Sequence, residues 1–247
     1  MTTATSERPP VIDRAVWQEL AEDLETLARL HDREPDRTLV DELRQSPIAE
    51  WFALPLGDSG GAAVFDHALG ELPRPVDRES LDTLATDYAD IYLVHGLHAS
   101  PAESPWLDPD HLVCQEPMFQ VREWYAHYGL EATDWRQRSD DHLVVQLRFM
   151  AHLARTATDY SLVDLARFLD RHALRWIPDF AERVAARCRT PFFAGLAVLT
   201  SDYLEQLRDL VEAITGLERE VVEIKPDSQP AAAPAPQPYM PGVGPGW

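Results

Sequence analysis

Cysteine is scarce in this chain: its 247 residues include only Cys114 and Cys188. Two isolated thiols in so long a chain provide no disulfide framework, and reduced, buried cysteines are expected. Glycine is scarce as well, at 11 residues. No Walker-type phosphate loop and no Gly-x-Gly-x-x-Gly after a strand occurs, which argues against a nucleotide site on a glycine-rich loop. No apolar run approaches the roughly 20 residues needed to span a bilayer. The first ten residues are polar and lack the apolar core of a signal peptide. The expectation is a cytoplasmic protein with no stable membrane insertion.

Lysine is nearly absent. Lys225 is the only one, so arginine supplies the rest of the 22 basic side chains against 42 acidic ones, for a net charge of −20. A field of this sign repels phosphate, so nucleic acid is not an expected partner. An arginine-bearing peptide suits it; the plainer alternative is that the charge serves solubility alone.

What the chain has is helical period. Hydrophobic residues make up 45% and charged residues 26%, a balance suited to a globular fold with a sizeable core. Asp13 can cap a first helix that places Val16, Trp17, Leu20, Leu24 and Leu27 on one face. A second helix is predicted over 36–51, with Pro47 interrupting it. Gly57 to Gly61 reads as a turn before a short helix through Val64, Phe65 and Leu69. The clearest early helix covers 77–94, with Leu81, Leu84, Ala85, Tyr88, Ile91 and Tyr92 at i, i+3, i+4 spacing. A proline-rich stretch without period, 97–112, contains Trp106. Further helices are expected to start at Pro117, at a Ser139 cap, at a Ser161 cap, after the break at Trp176 and Pro178, and at Thr190–Pro191, the last ending near Gly216. No strand period of useful length appears. The fold class is all-α: one globular bundle of about eight to ten helices in two sub-halves over 1–224. Over 225–247 the composition shifts to Pro, Ala and Gly, which reads as a disordered tail.

Candidate chemistry is sparse. His95 and His98 form one pair and His111 and Cys114 another. Zinc needs about four ligands, or three plus water, and this spacing is not a known ligand pattern. Neither a metal nor a catalytic set is expected; a metal-dependent hydrolase using these histidines is the alternative from a different class. Asp140, Asp141 and His142 open a helix. Helix-end electrostatics accounts for the two carboxylates but not for the histidine. Tyr88, Tyr92, Trp106, Trp124 and Tyr125 cluster around the proline-rich stretch. Singly each suits a core; together they can line an apolar groove with polar tips, fit for a peptide.

Four blocks in order carry a resemblance. The first is Tyr88-Ala-Asp-Ile-Tyr92-Leu-Val followed by Ser100-Pro-Ala-Glu-Ser104-Pro-Trp106-Leu. The second is Pro117-Met-Phe-Gln-Val-Arg-Glu-Trp-Tyr-Ala-His-Tyr-Gly129-Leu. The third is Asp141-His142-Leu143 with Gln146-Leu-Arg-Phe-Met150. The fourth is Phe168-Leu-Asp-Arg-His172-Ala-Leu-Arg-Trp176-Ile-Pro178-Asp-Phe180, then Pro191-Phe-Phe-Ala-Gly-Leu-Ala197 and Leu199-Thr200. Together they resemble the TorD/DmsD/NarJ family of redox-enzyme maturation chaperones. Gln146 departs from that pattern, which often has an acidic residue there.

The resemblance implies a scaffolding role without catalysis and without a cofactor of its own. The partner it implies is the twin-arginine signal peptide, or N-terminus, of the catalytic subunit of a molybdenum-cofactor oxidoreductase of the DMSO reductase family, held until cofactor insertion. A nitrate-reductase-type assembly role for a non-exported client is the runner-up. Asp141 would accept hydrogen bonds from arginine, with His142, Glu103 and Ser104 ordering the rim. Tyr88, Tyr92, Pro101, Trp106 and Trp124 would meet the apolar stretch. A structural role for Asp141 and His142, joining the helical halves, stands equally open. The family pattern admits monomers and domain-swapped dimers.

Overall fold

The first four α-helices start where the sequence supplies a capping side chain. In this computed structural model, which describes residues 13–94, 96, 98–133 and 138–220, Asp13 accepts a hydrogen bond from the Ala15 amide at the start of α1 (Arg14–Asp32). Asp36 caps α2 (Arg37–Leu43), Ser59 caps α3 (Gly60–Glu71) and Asp77 caps α4 (Arg78–Tyr88) in the same way. The chain continues through α5 (Ser104–Leu107), α6 (Glu116–His127), α7 (Leu143–Thr156), α8 (Asp159–Arg171), α9 (Ile177–Arg187) and α10 (Pro191–Thr215). There is no β-strand among the described residues; one isolated antiparallel bridge joins Ala102 and His142. The all-α reading holds. The reading of 225–247 as a disordered tail, the charge of Lys225 and the position of His95 lie outside the described residues.

Several boundaries differ from the sequence expectation. Pro47 divides 36–51 into α2 and a 3-10 turn at Ile48–Trp51. Ser139 does not cap α7. Its carbonyl accepts the His142 amide in a turn, and His142 is the cap, its Nδ1 taking the Val144 amide at 3.1 Å. The two carboxylates within the turn are engaged elsewhere: Asp140 Oδ2 accepts from Arg122 Nε at 2.6 Å and Asp141 Oδ2 from Ser104 Oγ at 2.6 Å. Ser161 is not the cap of α8 either; Thr158 is, and Ser161 completes a reciprocal capping box. The stretch 77–94 does not remain α-helical: after Tyr88 it widens into a π-helical turn, Ala89–Leu93, closed by the Val94 amide on the Ala89 carbonyl at 2.9 Å.

α1 packs along α7, and α10 lies against α3, α8 and α9. α3 and α10 approach backbone to backbone. A Cβ at Gly61 would lie 2.2 Å from the Leu199 amide nitrogen, and one at Gly195 would lie 2.5 Å from that of Phe65, so glycine is required on both sides of this crossing. Around it Trp17, Phe65, Phe168, Trp176, Phe180, Phe192 and Phe193 form one continuous core. This packing fixes the C-terminal end of α1, the π turn and the N-terminal end of α7 beside one another.

A buried polar joint and the cavity beside it

The 100–104 loop is fastened to the start of α7. The Glu103 amide donates to the Asp141 carbonyl at 3.1 Å and the Leu143 amide to the Pro101 carbonyl at 2.8 Å. Asp141 reinforces this from its side chain. Its Oδ2 accepts from the Ser104 amide at 2.7 Å and from Ser104 Oγ at 2.6 Å. Asp141 is buried, and its Oδ1 is the buried side-chain polar atom left without a hydrogen-bond partner among the described residues.

Glu103 is equally buried and is the hub of a second network. His172 Nδ1 bonds its Oε1 at 2.9 Å, Gln146 Nε2 donates to its Oε2, and Trp176 Nε1 donates to Gln146 Oε1 at 3.2 Å. Burial pushes the Glu103 carboxyl above its ordinary range, against the opposing pull of His172 and Gln146. This explains the departure at Gln146. An ionised carboxylate only accepts and an indole only donates, so an amide, which does both, is suited to stand between them. A carboxylate at 146 would place a second acid against Glu103.

Asp141→Ala leaves the Ser104 donors buried without their acceptor. It is expected to cost about 2 kcal/mol of unfolding free energy, measured by urea denaturation. An unchanged midpoint would show that the joint does not hold the loop.

The nine residues singled out in the sequence do not form one surface. Tyr88, Tyr92, Pro101 and His142 share a cavity of about 590 Å3. Glu103, Ser104 and Asp141 lie in the polar joint behind it. Direct contact between Asp141 and an arginine would require that joint to open. Trp106 points toward α9, with its Nε1 donating to the Ser100 carbonyl at 2.9 Å, its ring against Trp176 and Phe180, and Arg183 stacked 4.4 Å from its centre. Trp124 packs edge-on against Phe168 and lines a different cleft with Arg167, Arg171 and Arg175.

In the shared cavity the two tyrosine rings lie 4.8 Å apart. Tyr88 OH donates to the Asp32 carbonyl at 2.7 Å. Tyr92 is held from behind by His31, whose Nδ1 lies 2.5 Å from its hydroxyl, while His31 Nε2 lies 2.8 Å from Thr200 Oγ1. Thr200 uses its own proton on the Leu196 carbonyl, so His31 donates from Nε2 and accepts from Tyr92 at Nδ1. That requires neutral imidazole, and burial does lower the His31 pKa to about 3.

Among the cavity residues that sequence reasoning missed are Asp32, Arg138, Arg148, Leu93 and Val113. Leu93 and its neighbour Val94 are 65% and 66% exposed, and Val113 is 58% exposed. A sequence signal for the first two existed. The buried stripe of the helix ends at Tyr92, so two apolar residues just beyond it have no inward position.

His111 Nδ1 bonds the Pro105 carbonyl at 2.9 Å, and no group of three or more His, Cys, Asp or Glu side chains able to hold a metal converges among the described residues. None of the described helices is long and apolar enough to cross a membrane.

Fold and site together define an all-helical protein whose most distinctive surface is an aromatic, charge-lined cavity beside a buried polar joint. Residues 60–182 match the family described as nitrate reductase delta subunit. The chain is 30% identical over 200 residues to the chaperone protein TorD of Shewanella oneidensis, covering 75% of this chain and 87% of that one. It is 29% identical over 150 residues to the chaperone protein TorD of Vibrio cholerae, covering 57% and 68%. It is 26% identical over 110 residues to the probable Tat proofreading chaperone DmsD of Haemophilus influenzae, covering 44% and 52%. This chain belongs to the TorD/DmsD/NarJ family, and the relatives named here are described as chaperones, not as catalysts.

Proposed function

We propose that this protein is a cytoplasmic maturation chaperone that binds the N-terminal, twin-arginine region of an apo-molybdoenzyme and holds it until the molybdenum cofactor is inserted, before export or assembly. The observation that carries this reading is the cavity itself. It gathers Tyr88, Tyr92, Pro101 and His142 and is edged by exposed Leu93 and Val113, a mixture suited to a peptide with both polar and apolar segments. In this reading those six residues contact the peptide. Glu103, Ser104 and Asp141 position the loop that carries Pro101, and Trp106 and Trp124 brace the loop and α6 from outside the cavity.

The family description as nitrate reductase delta subunit, matched over residues 60–182, supports a second reading in which the client is not exported. Calorimetric titration of the full chain with the leader peptide of the molybdoenzyme encoded beside it, and with a Lys-Lys version, separates the two. Bidentate recognition of guanidinium is expected to make the Lys-Lys peptide bind at least about tenfold more weakly. Equal binding of both peptides favours the non-exported client, and absence of binding by either ends the client-peptide reading.

A further inference from the structure

Asp32 is the sole carboxylate among the described residues lining the cavity. It stands at the C-terminal end of α1, and both of its oxygens already hold guanidinium groups. Arg138 Nη1 reaches Oδ1 at 2.5 Å and its Nη2 reaches the Asp32 carbonyl at 3.3 Å. Arg148 Nη2 donates to Oδ2 at 2.9 Å. The chain thus places two of its own arginines on one acid, inside the cavity that Tyr88, Tyr92 and His142 line.

We propose that Asp32 is the guanidinium receptor of this cavity, and that Arg148 occupies it in cis until an arginine of the incoming peptide displaces it. This rests on the client-peptide reading above and adds to it the acceptor and its regulation. Three observations carry it. The Asp32 side chain is 32% exposed, so an incoming group can reach it, whereas Asp141 is buried and does not line the cavity. The exchange swaps one charge-assisted hydrogen bond for another of the same kind. The two resident arginines are unequal: the Arg148 side chain is 48% exposed with one bond to Asp32, and the Arg138 side chain is 24% exposed with a second bond to the backbone. Release of Arg148 into solvent therefore costs less, and Arg138 remains as a fixed partner. The resident arginine also sets a threshold: a weakly basic peptide gains too little at Asp32 to displace it.

The test is an NMR titration of the full chain with N-acetyl-Arg-Arg-amide and N-acetyl-Lys-Lys-amide, using the wild type, Arg148→Ala, Asp32→Asn, the double variant and Arg155→Ala. Arg155 lies on the same helix, pairs with Glu25 and does not line this cavity, so its removal makes the same change in net charge. Arg148→Ala is expected to bind the diarginine probe about tenfold more tightly than wild type, with a smaller gain for dilysine. Arg155→Ala is expected to change affinity little, and the double variant to lose the gain. The proposal is overturned if Arg148→Ala gives no gain, if Arg155→Ala gives the same gain, if the gain survives Asp32→Asn, or if the diarginine probe binds none of the proteins. The Arg148→Ala against Arg155→Ala comparison stands even if Asp32→Asn does not fold. Binding of the leader peptide to wild type with no response to Arg148→Ala overturns this proposal and leaves the chaperone reading intact. A response of the diarginine probe without leader binding does the reverse.

Discussion

Arg208→Ala is expected to lower the free energy of unfolding by about 3–5 kcal/mol, read from urea denaturation at neutral pH. Arg208 has no solvent exposure and forms a two-bond fork on Asp170, with Nε to Oδ1 at 2.7 Å and Nη2 to Oδ2 at 2.8 Å. The same guanidinium donates to the Leu217 carbonyl at 3.1 Å, and Asp170 Oδ2 also accepts the Glu220 amide at 2.9 Å. One ion pair therefore fastens α8 to α10 and draws the segment after Gly216 back across both. Removing the arginine alone leaves a buried carboxylate with only the Glu220 amide, and the desolvation cost of that charge dominates the loss. The double variant Arg208→Met/Asp170→Leu removes both charges together and is expected to be more stable than Arg208→Ala. A double variant as unstable as the single one would mean that packing around the arginine stem, and not the stranded charge, carries the effect.

Such long-range pairs mark the limit of what the sequence discloses. Asp13, Asp36, Asp77 and Thr190 were legible as helix starts because a cap acts within three residues of itself, and three of them use their side chains in that way. Thr190 starts α10 without capping it, because its amide and hydroxyl both donate to Asp87, 103 residues away. The π turn at Ala89–Leu93 was not legible, since Ile91 and Tyr92 suit the buried stripe of an α-helix equally well. The same limit applies to the site. Tyr88, Tyr92, Pro101 and His142 were found by clustering and by resemblance, and they do share one cavity. Trp106 and Trp124, chosen on the same grounds, face elsewhere, because a sequence shows that aromatics are near one another but not which way each helix is turned. Asp32 and Arg148 looked like ordinary surface charges; their meeting spans 116 residues and depends on α1 packing along α7.

That packing also makes the protein acid-sensitive in a way that can be assigned to one side chain. His31, on the buried face of α1, has its pKa lowered to about 3 by burial, against about 6.5 in an unfolded chain. Between those two values the unfolded state holds a proton that the folded state does not, so stability must fall as pH drops, by about 1.4 kcal/mol per unit for this group. Asp23, whose pKa burial raises to about 6, has the opposite sign, because the folded state binds its proton first. The two slopes oppose each other between roughly pH 6 and 4, and the wild-type curve alone conceals both. The difference between wild type and His31→Gln isolates the histidine, since every other titration cancels. Glutamine can still donate to Thr200 and accept from Tyr92. Relative to this variant, wild type is expected to lose about 2 kcal/mol between pH 7 and pH 5, and about 4–5 kcal/mol by pH 3. Urea denaturation at a series of pH values measures this, and parallel curves would show that His31 is not held neutral. The consequence reaches the cavity. The neutral imidazole accepts the Tyr92 hydroxyl at Nδ1, so protonating it removes that acceptor and leaves a buried cation facing an O–H and the Thr200 hydroxyl. The same acid step that destabilises the fold is therefore expected to release Tyr92, and peptide binding by wild type should weaken with falling pH more steeply than binding by His31→Gln.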